Sequence, residues 1–308
     1  MKGNNALVAI NDKEVYDAAT GGTTPLHGNV SYFDADHVLS LTTDNVVWLD
    51  GAVRTDVVTQ LPPTLQAGEP VWFDANGDVE TTKGQLHAAP AGADGIDLQA
   101  SGSLLTWTEE LGGGVCQLWA SVNQATPQQI TGATGCIEDA VPLDAGSGHL
   151  LIGWPSSVAE STNGGATWTT TQVPASPESI GTGGQTMSIA LAPDGTLWAA
   201  WQQRGNPAST DDVLQGWISH RDPAGVWHTQ DDPLPPGGEA RTGNFAPVVV
   251  ADGSDALNSS EQPGTWLNNQ QISNVSLTSD PLLVLLPDGT RVVAWADPSG
   301  VSFEEVPK

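Results

Sequence analysis

The chain has 308 residues, 38% of them hydrophobic, with 35 Gly, 22 Pro, 12 Trp, nine Lys plus Arg and 36 Asp plus Glu, for a net charge of −27. So few bases argue against nucleic acid or an anionic membrane surface as partner, because phosphate recognition draws on clustered Lys and Arg. No apolar run reaches the roughly 18 residues of a membrane-spanning helix, and abundant Gly and Pro without a collagen-like period point to a turn-rich β protein.

The opening "MKGNNALVAI" lacks the apolar stretch of a signal peptide. Met1 is read as the start of a trimmed mature chain, so an extracellular or cell-surface location is expected, with a virion-associated one as the alternative. "ALVAI" and "EVYDA" are short strand candidates. Further on, "NVSYFDADHVLSL" (29–41) gives an apolar run, a polar turn and a second apolar run. "VWFDANGDVETT" (71–82) reads as a hairpin around Asn76-Gly77. There Asp74, Asn76 and Asp78 alternate as at the start of a calcium loop, but Gly77 comes one place early and residue 85 is Gln. A hairpin tip is expected, with no metal and no cofactor.

The strand–turn–strand pattern recurs in "GIDLQASGSLLTW" (95–107), "AVPLDAGSGHLLIGW" (140–154), "TMSIALAPDGTLWAAW" (186–201), "FAPVVVADGSDAL" (245–257) and "DPLLVLLPDGTRVVAW" (280–295). The Asp-Gly pairs sit where a two-residue hairpin turn needs positive φ. Trp107, Trp154 and Trp201 are each 47 residues apart, and Trp295 lies 94 beyond Trp201. A period in the forties with four short strands per unit marks propeller blades, each burying its faces against neighbours with an indole as filler. The expected architecture is one all-β domain over 1–308, a single β-propeller of six four-stranded antiparallel blades. Units fall at 28–60, 61–93, 94–135, 136–176, 185–236 and 245–279, with 280–308 closing the ring. Seven blades is the alternative if 61–93 is a blade rather than an insertion. N- and C-terminal strands would share the last sheet and remove its open edge.

Between the third and outer strands of one unit lies "STNGGATW". Ser161, Asn163, Gly165, Thr167 and Trp168 resemble the Asp box (BNR repeat) of sialidase-like propellers, S-x-D-x-G-x-T-W, with Asn in place of Asp. Weaker copies are "SHRDPAGVW" (219–227) and "SSEQPGTW" (259–266), the latter with Pro263 where the glycine belongs. The resemblance implies a propeller and a structural hairpin lock, since such boxes lie away from the family's ligand face. It also implies a test for sialidase chemistry: an arginine triad, a late Tyr–Glu nucleophile and an Asp acid. The chain has five arginines, of which Arg221 and Arg291 read as structural or solvated, and its tyrosines, Tyr16 and Tyr32, come early. Sialidase activity is therefore not expected.

Ligand-facing residues are sought on loops at the opposite ends of the strands, since successive turns of a meander alternate. "TEEL" offers Glu109 and Glu110 after an inner strand. Arg204 precedes "STDD" with Asp211 and Asp212, and the long 230–245 connection carries Asp231, Asp232, Glu239 and Arg241. The six histidines show no metal-ligand spacing. Cys116 and Cys136 are expected to form one disulfide, as in an exported protein, with two reduced core thiols as the alternative. The reading is a non-catalytic module binding a protein or glycan through its loop-rich face. The alternatives are a glycosidase with paired carboxylates and a structural subunit of a surface or virion assembly.

Overall fold

The structure, a computed structural model, describes residues 7–10, 14–17, 22–25, 27–33, 37–59, 61–130, 137, 140–154, 157–174, 187–204, 214–230, 248–259, 264–268, 270–274, 281–286, 288–297 and 300–307. Among them there is no helix. From Asn29 onward seven antiparallel sheets follow one another, each a simple meander of consecutive strands. Sheet one is Asn29–Phe33, Val38–Leu41, Val47–Leu49 and Ala52–Arg54; sheet two is Thr64–Gln66, Glu69–Phe73, Val79–Thr81 and Gly84–His87. Sheet three is Asp94–Ser101, Leu104–Glu110, Cys116–Val122 and Gln128–Gln129; sheet four is Val141–Asp144, Leu150–Trp154, Ser157–Ser161 and Thr169–Gln172. Sheet five is Met187–Leu191, Leu197–Arg204, Leu214–Arg221 and Trp227–Gln230; sheet six is Val248–Val249, Asp255–Ser259, Gly264–Leu267 and Gln270–Gln271. Sheet seven has three strands, Leu282–Leu285, Arg291–Asp297 and Gly300–Val306. These are propeller blades, and among the described residues there are seven, the alternative count, because 61–93 holds a complete sheet. The expected sharing of the last sheet is not its topology: Leu7–Ile10, Glu14–Asp17 and Gly22–Pro25 pair among themselves in a separate sheet.

The chain divides into two compact units, residues 1–152 with 159–170, and 153–158 with 171–308. In the first, the leading strands of sheets one to four lie against one another in sequence order; in the second, those of sheets five to seven do the same. Blades touch along their first strands because each sheet is apolar on both faces. Trp107, Trp154, Trp201 and Trp295 each sit on the second strand of their sheet and are buried. Trp107 and Leu105 pack against Val71, Phe73 and Val79 of the preceding sheet. In the second unit Trp295 and Val293 meet Ala256 and Leu267 in the same way. Each such buried aliphatic or aromatic side chain contributes about 1.5–3 kcal/mol, so a 47-residue recurrence of Trp is a recurrence of inter-sheet core.

Polar ties lock neighbouring sheets in the first unit. Buried Gln66 donates from Nε2 to the Ser103 carbonyl at 2.7 Å and the Ser121 carbonyl at 2.9 Å. Asp144 accepts from Ser103 N at 2.8 Å and Ser103 Oγ at 2.6 Å. Burial pushes the Asp144 carboxyl upward, but hydrogen bonds from Ser103 and Gly146 outweigh it and hold the group below the usual range.

The Asp-Gly turns have a different geometry from the one expected. Ala192 N donates to Thr196 O, Gly195 N to Ala192 O, and only Gly195 has positive φ, +91°. This is a three-residue loop, a type I turn closed by a left-handed glycine, with Pro193 and Asp194 at its ordinary positions. Asn76-Gly77, Asp252-Gly253 and Asp288-Gly289 repeat it. The 259–266 stretch is also reassigned. It joins the second and third strands of sheet six, whereas the octet joins the third and fourth of sheet four, so the two are not equivalent turns.

Candidate functional site

The octet forms a closed hydrogen-bond knot. Ser161 Oγ donates to Asn163 Oδ1 at 2.9 Å and accepts from Gly165 N at 2.9 Å. Asn163 Oδ1 also accepts from Thr167 N at 3.0 Å, while Asn163 Nδ2 donates to Thr167 Oγ1 at 2.9 Å. The carbonyl does what a carboxylate would do, and the amide adds a donor that a carboxylate lacks. Ser161 is 1% exposed, so its hydroxyl is committed to the turn.

Beside this knot lies a groove of about 310 Å³ between sheets three and four. Val122, Asn123, Thr126 and Gln128 line one wall, and Gly165 and half-buried Trp168 the other. Gln128 Nε2 donates to the Gly165 carbonyl at 2.9 Å and ties the walls together. A side chain at Gly165 would meet Val122 Cγ2 at 2.6 Å, so glycine sets how closely the sheets approach. The lining offers an indole, amides and a hydroxyl, with neither carboxylate nor imidazole.

Glu109 and Glu110 end the second strand of sheet three rather than lying in the loop beyond it. Glu109 is 0% exposed. Its Oε1 lies 2.8 Å from His87 Nε2 and accepts from Trp107 Nε1 at 3.3 Å. The His87 nitrogen is close to the carboxylate without hydrogen-bond alignment, and Glu109 Oε2 and Trp119 Nε1 are also buried without a partner. His87, 16% exposed, sits 4.5 Å from the Trp119 ring and 5.5 Å from Trp107. The result is a buried histidine–carboxyl contact between sheets two and three under two indoles, not an open acid. Glu110, half-buried, pairs in register with Cys116 and Asp94.

Of the other expected ligand residues, Asp211, Asp212, Asp231, Asp232, Glu239 and Arg241 lie outside the described residues, as does the Arg204 side chain. Cys116 opens the third strand of sheet three and is not a free thiol; Cys136 lies outside the described residues. Arg291 pairs with Asp252 at 2.8 Å, and Arg221 lies over the Trp227 ring. His220 and His228 face each other across strands with rings 4.8 Å apart, but they stack, and His228 turns to Asp222.

The 74–78 loop is a hairpin tip. Asp74 Oδ1 accepts from Asn76 N and Asp78 N, and Asp78 accepts from Gln85 Nε2 and Ala89 N. Carboxylate oxygens of Asp74, Asp78 and Glu80 lie within 4.8 Å of one another. Burial, then the Asp74 and Asp78 charges, push the Glu80 carboxyl up. The folded chain thus holds that proton more tightly than the unfolded one, and ionised Glu80 detracts from stability as pH rises past the ordinary carboxylate range.

No protein-family model matches this chain, and no curated protein does. Among solved structures it is similar to a streptogramin B lyase, at 13% identity over 99% of this chain and 96% of that one, with a TM-score of 0.42. It is also similar to an α-L-arabinanase of Penicillium chrysogenum, at 12% identity over 96% of this chain and 84% of that one, with a TM-score of 0.42. A third is the BP39L lectin of Burkholderia pseudomallei, at 12% identity over 77% and 79%, with a TM-score of 0.39. Likenesses at this level carry no inference about activity.

Proposed function

We propose that this chain is a non-catalytic module that binds glycans, and that the groove beside Trp168 receives a saccharide unit. The observation that carries the reading is the composition of that groove: one half-buried indole opposite Asn123, Thr126 and Gln128, with no carboxylate in its lining. A sugar ring has an apolar C–H face and a hydroxyl rim. An indole serves the first, while amides and a hydroxyl serve the second. Hydrolysis would ask for two carboxylates flanking the bond. The site is at the octet's end of the strands, not on the loop-rich face that the sequence favours. With a net charge of −27, neutral glycans are favoured over acidic ones.

Binding to a printed panel of neutral and acidic oligosaccharides, followed by calorimetry with hexaoses of xylose, glucose and mannose, tests this. The expected result is retention of a neutral glycan without release of reducing ends. Trp168→Ala should weaken binding at least about tenfold, the range of one aromatic contact. No binding across the panel, equal binding by the variant, or release of reducing ends would each overturn the reading.

The same reading places the chain outside the cell as one domain, with Cys116 paired to Cys136, the only other cysteine. Such a loop contributes about 3 kcal/mol. Thiol alkylation should add no mass until a reductant is supplied; labelling of the unreduced, denatured chain would refute the pairing.

A further inference from the structure

A second groove, of about 190 Å³, lies one sheet earlier, between sheets two and three. Thr81, Lys83, Gln85 and Leu86 line one side, Asn123 and Gln124 the other. The two grooves are equivalent in topology. Each runs from the third-to-fourth-strand turn of one sheet to the same turn of the next, and all three turns lie at the same end of their meanders. Asn123 lines both.

The shared turn is built at a cost. Asn123 has φ +53° and Gln124 φ +58°, where the corresponding turn of sheet four uses Gly164 and Gly165 at +69° and +85°. Asparagine tolerates that region more readily than glutamine does. Gln124 Oε1 is in addition buried without a hydrogen-bond partner. Backbone strain and an unsatisfied amide on one residue, at a position where glycine would relieve both, mark a residue kept for something other than stability.

We propose that this groove is a second saccharide site, with Gln124, Gln85 and Lys83 as its hydroxyl-binding groups, so that the chain is at least bivalent for neutral glycans. The proposal rests on the glycan reading of the Trp168 groove. Lys83 supplies three rotatable donors, the Gln124 amide nitrogen a further donor, and the Gln85 amide, whose nitrogen is held by Asp78, an acceptor, a set that matches vicinal hydroxyls. Two sites side by side on one compact unit would raise avidity for a polymer well above that for either site alone.

Gln124→Gly separates function from fold. It should raise the melting temperature by about 2–4 °C and reduce the stoichiometry for the bound hexaose, read by native mass spectrometry, from two to one. Lys83→Ala should also reduce it to one without altering the melting temperature. Trp168→Ala should leave one ligand bound at the Gln124 groove. A stoichiometry of one in the wild type, abolished by Trp168→Ala, would overturn the second site and leave the first standing. No binding by the wild type would bring down both. A fall in melting temperature for Gln124→Gly would refute the argument from strain, and unchanged stoichiometry in both groove variants would refute the assignment of the site.

Discussion

His87→Ala should lower the stability of the protein by about 3–5 kcal/mol, several times the cost of trimming a mostly covered imidazole. The reason is Glu109. Its carboxyl group is 0% exposed, and the His87 nitrogen at 2.8 Å is its one partner among the described ion pairs. With His87 removed, the carboxyl group keeps, among the described residues, the hydrogen bond from Trp107 Nε1 at 3.3 Å. A buried charge left unpaired costs far more than the pair contributes. Pairing His87→Ala with Glu109→Gln should therefore recover much of the loss, because the amide keeps the shape without the charge. Urea unfolding of the wild type, both single variants and the double variant gives the coupling energy directly. Equal destabilisation of His87→Ala and the double variant would show that the imidazole acts only as filler. The strand that ends at His87 also supplies Gln85 and Leu86 to the second groove, so a loosened joint would be felt there as well.

Glu109 belongs to the strand, and the sequence carries the sign of it. In "LLTWTEEL" the alternation Leu105, Trp107, Glu109 already puts the acid on the indole's face of a strand, because side chains two apart point the same way. The doublet of acids resembles a loop only if that period is stopped early. His87 left no comparable trace: it pairs with Glu109 across 22 residues and two sheets, and no local pattern encodes that distance. The sheets themselves were legible. Every expected unit from 28 to 308 contains one sheet, since apolar pairs of strands and the Trp interval are both set by packing that repeats. The blade count turned on 61–93, whose indole, Trp72, breaks the 47-residue interval although it occupies the usual second strand. The grooves were not legible at all. They are made by neighbouring turns whose separation depends on how two sheets approach, and the sequence marks them only by what the turns cost: two glycines in one, Asn123 and Gln124 in the next.

Turn cost is also the basis of the second large effect. Gly264→Ala should destabilise the protein by about 3 kcal/mol or more, and by at least twice as much as Gly84→Ala. Both glycines have positive φ, +144° and +117°, so each substitution carries the strain of a conformation that L residues rarely adopt, about 1–2 kcal/mol. At Gly84 a methyl group would meet nothing within 4 Å. At Gly264 it would run into the Ser273 carbonyl oxygen and come within 2.8 Å of Gln271 Nε2. That carbonyl is not free to move. It accepts from Thr265 N at 3.1 Å, while the Thr265 carbonyl accepts from Ile272 N at 2.9 Å and Ser273 N at 3.2 Å. The outer strand of sheet six is only Gln270–Gln271, so these bonds are a large share of what holds it. Displacing Ser273 would expose buried Trp266 and Leu267 on the adjacent strand. Urea midpoints for the two variants decide the matter. Equal losses would mean that strain alone acts at both positions and that the outer strand yields without resistance; a loss at Gly264 at least double that at Gly84 would show that the glycine is there to let one backbone pass against another.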